Sequence, residues 1–199
     1  LNGGRLADDP DGNVTFREAA TVQPFANTLV TLELTGAQVK DVLEEQWQPE
    51  SASRPFLKLG VSEGLVYTYD PTAERGERIT SITLDGEPID ASATYVVAAN
   101  SFLAGGGDNF TTLTEGENRA DSGKIDLASM VDWFDENGTA TPDQAQRAIG
   151  VVLSAPDADG YSAGDEVTIE LSSLAFSGGE SAPSEVSVSL GDTILGTEQ

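Results

Sequence analysis

Histidine and cysteine are both missing from this 199-residue chain, and each absence removes a class of chemistry. Without histidine the chain has neither the usual general base near neutral pH nor the commonest metal ligand. Without cysteine there is no thiolate nucleophile and no disulfide. A cysteine-free chain of this length fits a cytosolic protein or an exported bacterial one that folds without cross-links. Bases are scarce as well: 10 Lys and Arg stand against 34 Asp and Glu, for a formal charge of -24. That charge repels nucleic-acid backbones and anionic membranes, so no nucleic-acid partner is expected. No apolar run approaches the roughly 20 residues of a membrane span, so direct membrane insertion is not expected either. Leu1 runs straight into a glycine turn and reads as a point inside a longer polypeptide. At this length, one domain with a small second one is the natural expectation.

What is present begins with caps and alternation. LNGGR (Leu1 to Arg5) is a glycine turn ending in a guanidinium, and an acidic turn follows over Asp8 to Asn13. Thr15 with Glu18 three residues later predicts a capped helix over 14–22. Pro24 then holds the chain extended and presents Phe25 at the mouth of a strand over Thr28 to Leu34, where apolar and polar residues alternate. Phe25 by itself reads as a core aromatic before it reads as a binding one. Thr35 and Gln38 open a second helix expected to reach Trp47, with Val39, Val42, Leu43 and Trp47 on one stripe and Lys40, Asp41, Glu44 and Glu45 facing water. Further strands are expected at 56–59, 65–69, 79–84 and 94–99, with Asp85-Gly86 as a hairpin turn that Pro88 complicates. Asp126 is expected to cap a second amphipathic helix carrying Leu127, Met130, Val131 and Phe134, and Gly138 to end it.

The stretch around which the chain is organised is NSFLAGGGDNF, Asn100 to Phe110. Three successive glycines, Gly105 to Gly107, open backbone angles closed to other residues and let another molecule approach the main chain. Between Phe102 and Asp108 such a turn suits a binding edge, although composition alone also fits a plain connection. No Lys-Ser/Thr pair follows the glycines and the dinucleotide spacing is absent, so the turn is neither kind of nucleotide-phosphate loop. After about residue 148 the chain becomes rich in Ser, Gly, Asp and Val, with strand candidates at 151–153, 167–171, 186–190 and 193–195. These suggest a partial, sandwich-like β module over 149–199. Asp157, Asp159 and Gly160, with Asp165 and Glu166 nearby, read as a turn or as oxygens for calcium, without the full EF-hand spacing.

LNGGR, VQPFANTLV, LTGAQVKDVLE, FLKLG, YTYDP and NSFLAGGGDNF occur in an order that resembles the C-terminal domain of the 5'-nucleotidase, UDP-sugar hydrolase and 2',3'-cyclic phosphodiesterase family, over roughly Leu1 to Asn137. The resemblance implies an α+β fold of mixed sheets with packed helices over 1–148, followed by the short all-β segment. It also implies a substrate-recognition domain that clamps a nucleoside or nucleotide between Phe25 and Phe102. Asp108 would accept from the ribose hydroxyls, Asn27 would lie near the base, and Gly106 and Gly107 would allow close approach. Asn2 and Arg5 match the family's NGG(x)IR stretch, with Arg5 directly after Gly4 where relatives usually carry an apolar residue; Arg5 suits phosphate or ribose contacts. No catalytic residue and no metal is expected here. Divalent metals (zinc, manganese or similar) are expected on an N-terminal metallophosphatase domain of the same polypeptide, and the location implied is extracellular or on a bacterial cell surface. A non-catalytic surface spacer, or a relative acting on a sulfur compound, would be alternatives.

Overall fold

The computed structural model describes residues 12–141, 145–154, 161–162, 164–175, 185–190 and 193–198. Asn2, Arg5, the rest of the LNGGR turn and the Asp157 to Gly160 segment lie outside the described residues. The elements, in chain order, are α1 (Phe16–Val22), β1 (Thr28–Thr35), α2 (Gly36–Glu44), β2 (Leu65–Tyr69), β3 (Ile79–Leu84), β4 (Glu87–Pro88), β5 (Thr94–Asn100) and α3 (Ser101–Ala104). Two 3-10 turns at 107–109 and 111–115 lead into β6 (Glu117–Ile125), α4 (Asp126–Asn137), β7 (Ala148–Leu153), β8 (Ile169–Ser172), β9 (Val186–Leu190) and β10 (Thr193–Glu198). The fold is α+β, with antiparallel β5-β1-β6 as one sheet and β4-β3-β2-β7-β8 as a mixed one; β9 and β10 pair as a hairpin.

Local chemistry explains most of the boundaries. At α1, Thr15 Oγ1 accepts from the Glu18 amide while Glu18 accepts from the Thr15 amide; Thr35 and Gln38 repeat the exchange at α2. Asp85 and Gly86 both have positive φ, 53° and 86°, as a type I′ turn requires. Pro88 is tolerated because β4 is an edge strand of two residues. Gly138 ends α4 at φ 75°, its amide donating to the Phe134 carbonyl. Asp126 is the first residue of α4 rather than its cap: Ile125 holds that position, and Asp126 Oδ1 accepts from the Leu127 amide at 2.7 Å.

α2 divides the interior. Val42 joins Val30, Leu32, Leu34, Ala104, Phe110 and Leu113 in one core against β1, while the next residue, Leu43, joins Tyr67, Tyr69, Ile79, Ile82 and Ala148 in a second. The helix stops at Glu44, three residues short of the expected Trp47, and Glu44 is buried rather than facing water. Its carboxylate accepts from the amides of Ile79 and Gly76, so the end of the helix fastens the turn before β3. Trp47 is still a packing residue, with its ring centroid 5.2 Å from Phe56 and 5.0 Å from Tyr69.

The expected strand at 56–59 does not form; a single bridge between Trp47 and Phe56 is all the ladder there is. Gln46, fully buried, takes over the backbone groups that a sheet would have paired. Its Oε1 accepts from the Leu59 amide at 2.8 Å and from the Tyr67 hydroxyl at 3.0 Å, its Nε2 donates to the Leu43 carbonyl, and its own carbonyl accepts from the Leu57 amide. Burial pushes the Tyr67 phenol up to about 12. Because the folded value lies above the unfolded one of about 10, the stability from the neutral phenol is fully present below pH 10 and is lost as pH rises toward 12. Urea unfolding at pH 9 and at pH 12 should differ by about 2 kcal/mol from this group, most of a two-unit shift at 1.36 kcal/mol per unit, and Tyr67→Phe should remove that part of the difference.

Candidate functional site

Sheet register brings the two phenylalanines together across 77 positions of sequence. β1 and β5 run antiparallel with Leu29 opposite Asn100, so the residues entering β1 must lie beside those leaving β5. The junction is fastened from both sides: the Thr28 amide donates to Ser101 Oγ at 3.1 Å, and the Asp126 amide donates to the Asn27 carbonyl at 2.8 Å. Ala26, between Phe25 and Asn27, sits at φ 54°, a left-handed conformation that costs a non-glycine residue roughly 1–2 kcal/mol and that here turns Phe25 outward. Phe25 is 72% exposed and Phe102 51% exposed.

Phe102 lies on the short helix α3, whose N-cap Asn100 accepts from the Leu103 amide. Its ring covers Gly107: a Cβ on Gly107 would fall 2.6 Å from Cε1 and Cζ of that ring. Gly106, at φ 84°, makes the left-handed turn that follows. Asp108 continues it at φ 53° and ψ 31°, so the carboxylate is carried on tightly wound backbone. Arg119 donates to the Ala104 carbonyl beneath the turn.

Asp108 is paired. Arg54 Nη2 donates to its Oδ1 at 3.0 Å, with 61% of the arginine side chain and 33% of the aspartate side chain exposed. The partner comes from the loop after α2, to which sequence reading gave no role; nothing in local spacing joins residues 54 and 108.

Phe25, Asn27, Phe102 and Asp108 line one cleft of about 150 Å³. Leu57, Lys58 and Leu59 supply another of its walls, held in place through Gln46, and Asn100, Leu103 and Phe110 line it from the side of α3. Sequence analysis missed the 57–59 wall because those residues read as a strand. Gly106 and Gly107 shape the turn under Phe102, while Asn2 and Arg5 fall outside the described residues. The cleft lining therefore includes two exposed phenylalanines, an aspartate, an asparagine and a lysine, with Arg54 bound to the aspartate. Among the described residues no group of three or more Asp and Glu side chains gathers to hold a metal ion. No described helix is long and apolar enough to cross a membrane.

Residues 1–115 match the family model "5'-nucleotidase, C-terminal domain". The crystal structure of a 5'-nucleotidase precursor from Thermus thermophilus is similar at 34% identity and a TM-score of 0.62, over 73% of this chain and 29% of that one. The NAD nucleotidase of Haemophilus influenzae is similar at 31% identity and a TM-score of 0.56, over 63% of this chain and 24% of that one. A trifunctional nucleotide phosphoesterase of Bacillus subtilis is 30% identical over 167 residues, 80% of this chain and 11% of the relative. The chain spans between 11% and 25% of the length of the curated relatives it matches. On the family match and the shared fold, the chain belongs to the family of 5'-nucleotidase C-terminal domains.

Proposed function

We propose that this chain is the nucleoside-recognition part of a 5'-nucleotidase that hydrolyses nucleotide phosphate esters. The observation that carries the reading is that two solvent-open phenylalanines 77 positions apart line the same cleft, together with the carboxylate six residues after the second. An aromatic slot suits any base, since each offers a π face and stacking contributes roughly 1–3 kcal/mol per base. Asp108 accepts hydrogen bonds from the sugar hydroxyls, and Asn27 both donates to and accepts from the base edge. Gly106 and Gly107 keep the backbone low beneath the ligand, and Asn2 and Arg5 contact ribose or phosphate. A core-packing role for the two rings, as in a structural spacer, would leave their exposure without a purpose.

At about 150 Å³ the cleft is smaller than the roughly 300–1,000 Å³ of sites that enclose a whole drug-sized ligand. One ring system fits, and the rest of a nucleotide projects toward an N-terminal metallophosphatase domain of the same polypeptide. Divalent ions such as zinc or manganese on that domain supply activated water when bound; this chain's residues bind and orient. Residues 1–148 form the recognition unit in this reading; within 149–199, β7 and β8 extend its mixed sheet and β9 and β10 pair as a hairpin. An extracellular or cell-surface location is supported by the similarity to a cell wall protein of Listeria monocytogenes, 36% identical over 112 residues.

Calorimetric titration of the chain with adenosine and AMP tests the proposal. Saturable binding of both, with no phosphate released from AMP, is the expected result. An absence of binding up to millimolar ligand, or binding indifferent to loss of Phe102, would overturn it.

A further inference from the structure

Two loops meet at the edge of the cleft and are stitched together at three places. Glu45 Oε1, just beyond α2, accepts from Thr111 Oγ1 at 2.7 Å, the Thr112 amide at 2.9 Å and Thr112 Oγ1 at 3.0 Å. Gln48 Oε1 accepts from Asn109 Nδ2 at 2.7 Å. Arg54 Nη2 donates to Asp108 Oδ1 at 3.0 Å. Only the last stitch includes a side chain that lines the cleft. The first two join the same loops away from the cleft lining, whereas the third ends on a carboxylate that faces the ligand space.

A carboxylate has two oxygens with about four lone-pair directions. Arg54 makes a single contact, to Oδ1, and leaves Oδ2 for an incoming donor. Fixed in this way, the carboxylate offers its remaining acceptors in one direction instead of sweeping about its side-chain torsions. Arg54 also places one of only 10 bases in a chain of charge -24 next to the carboxylate that must receive a substrate. We propose that Arg54 is a positioning residue that makes the Asp108 carboxylate selective for the paired hydroxyls of a ribose. The proposal rests on the reading of the cleft as a nucleoside site.

The test compares adenosine with 2',3'-dideoxyadenosine, which keeps the base and lacks both hydroxyls, on the 199-residue chain and on Arg54→Ala and Arg54→Lys. The unaltered chain is expected to favour adenosine by about tenfold or more, as for hydrogen bonds to a charged group. Arg54→Ala should reduce that ratio about two- to fivefold with the dideoxynucleoside affinity unchanged, the scale of an exposed ion pair. Arg54→Lys, which retains a charged donor for a one-point contact, should recover most of the ratio. A purely structural arginine would weaken both ligands alike, so an unchanged ratio in Arg54→Ala overturns the inference while the nucleoside reading stands. Tighter adenosine binding in that variant also overturns it, because Arg54 would then be a competitor for Asp108. If the unaltered chain binds neither compound, the nucleoside reading fails and the inference falls with it.

Discussion

Replacing Gln46 with leucine should lower the unfolding free energy by about 3 kcal/mol, one of the largest effects available to a single substitution here. The volume change is small, so cavity formation is not the cause. The cost lies in the Leu59 amide and the Tyr67 hydroxyl, which both donate to Gln46 Oε1 in a fully buried setting and would be left without an acceptor. Each such orphan costs about 1–3 kcal/mol. For a chain of this size the melting temperature should drop by about 6–12 °C. Urea unfolding followed by tryptophan fluorescence reads the change, since Trp47 packs on Tyr69 in the same core. A midpoint within experimental error of the unaltered chain would mean that water reaches the 57–59 segment. The same variant should also weaken ligand binding, because Leu57, Lys58 and Leu59 line the cleft.

Truncating Phe102 to alanine should do the opposite: weaken adenosine binding about 10- to 100-fold, the loss of one stacking partner, and leave the fold nearly untouched. The ring is half in solvent and belongs to neither core, so the stability cost should stay below about 1 kcal/mol. Gly107→Ala is a useful companion because it keeps both phenylalanines. Its methyl group would lie 2.6 Å from the Phe102 ring, so the ring must move off the turn, and binding should fall toward that of Phe102→Ala. Calorimetry on the two variants checks both; full affinity in Gly107→Ala would show that the orientation of the ring over the turn is unimportant.

Elements controlled by neighbours in sequence were legible beforehand. Thr15 with Glu18 and Thr35 with Gln38 place their helix starts because the capping exchange spans three residues, and Asp85-Gly86 needs only its own backbone angles. Contacts made through a buried side chain were not legible. FLKL alternates like a strand, yet Gln46 intercepts its amides; Glu44 follows a water-facing pattern, yet two amides next to β3 draw it inside. The candidate site divides along the same line. Phe25, Asn27, Phe102 and Asp108 stood out as motif residues, and the register of β1 against β5 explains why they meet. Arg54 and the 57–59 wall reach the cleft through tertiary pairing that no short spacing announces.

The place of β1 at the centre of its sheet also sets a timetable for the growing chain. Its neighbours are β5, paired through Leu29 and Asn100, and β6, paired through Thr31 and Ala120. Roughly sixty residues separate its end from the nearer partner, which at ribosomal rates of roughly 5–20 residues per second is a wait of several seconds with both edges open. Val30, Leu32 and Leu34, destined to be among the most deeply buried side chains, have only α2 and the 57–59 segment to pack against in that interval, because Ala104, Phe110 and Leu113 come later in the chain. The core next to the cleft therefore closes late, and a nascent chain stalled before Asn100 is the form of this protein most exposed to aggregation and most in need of a chaperone.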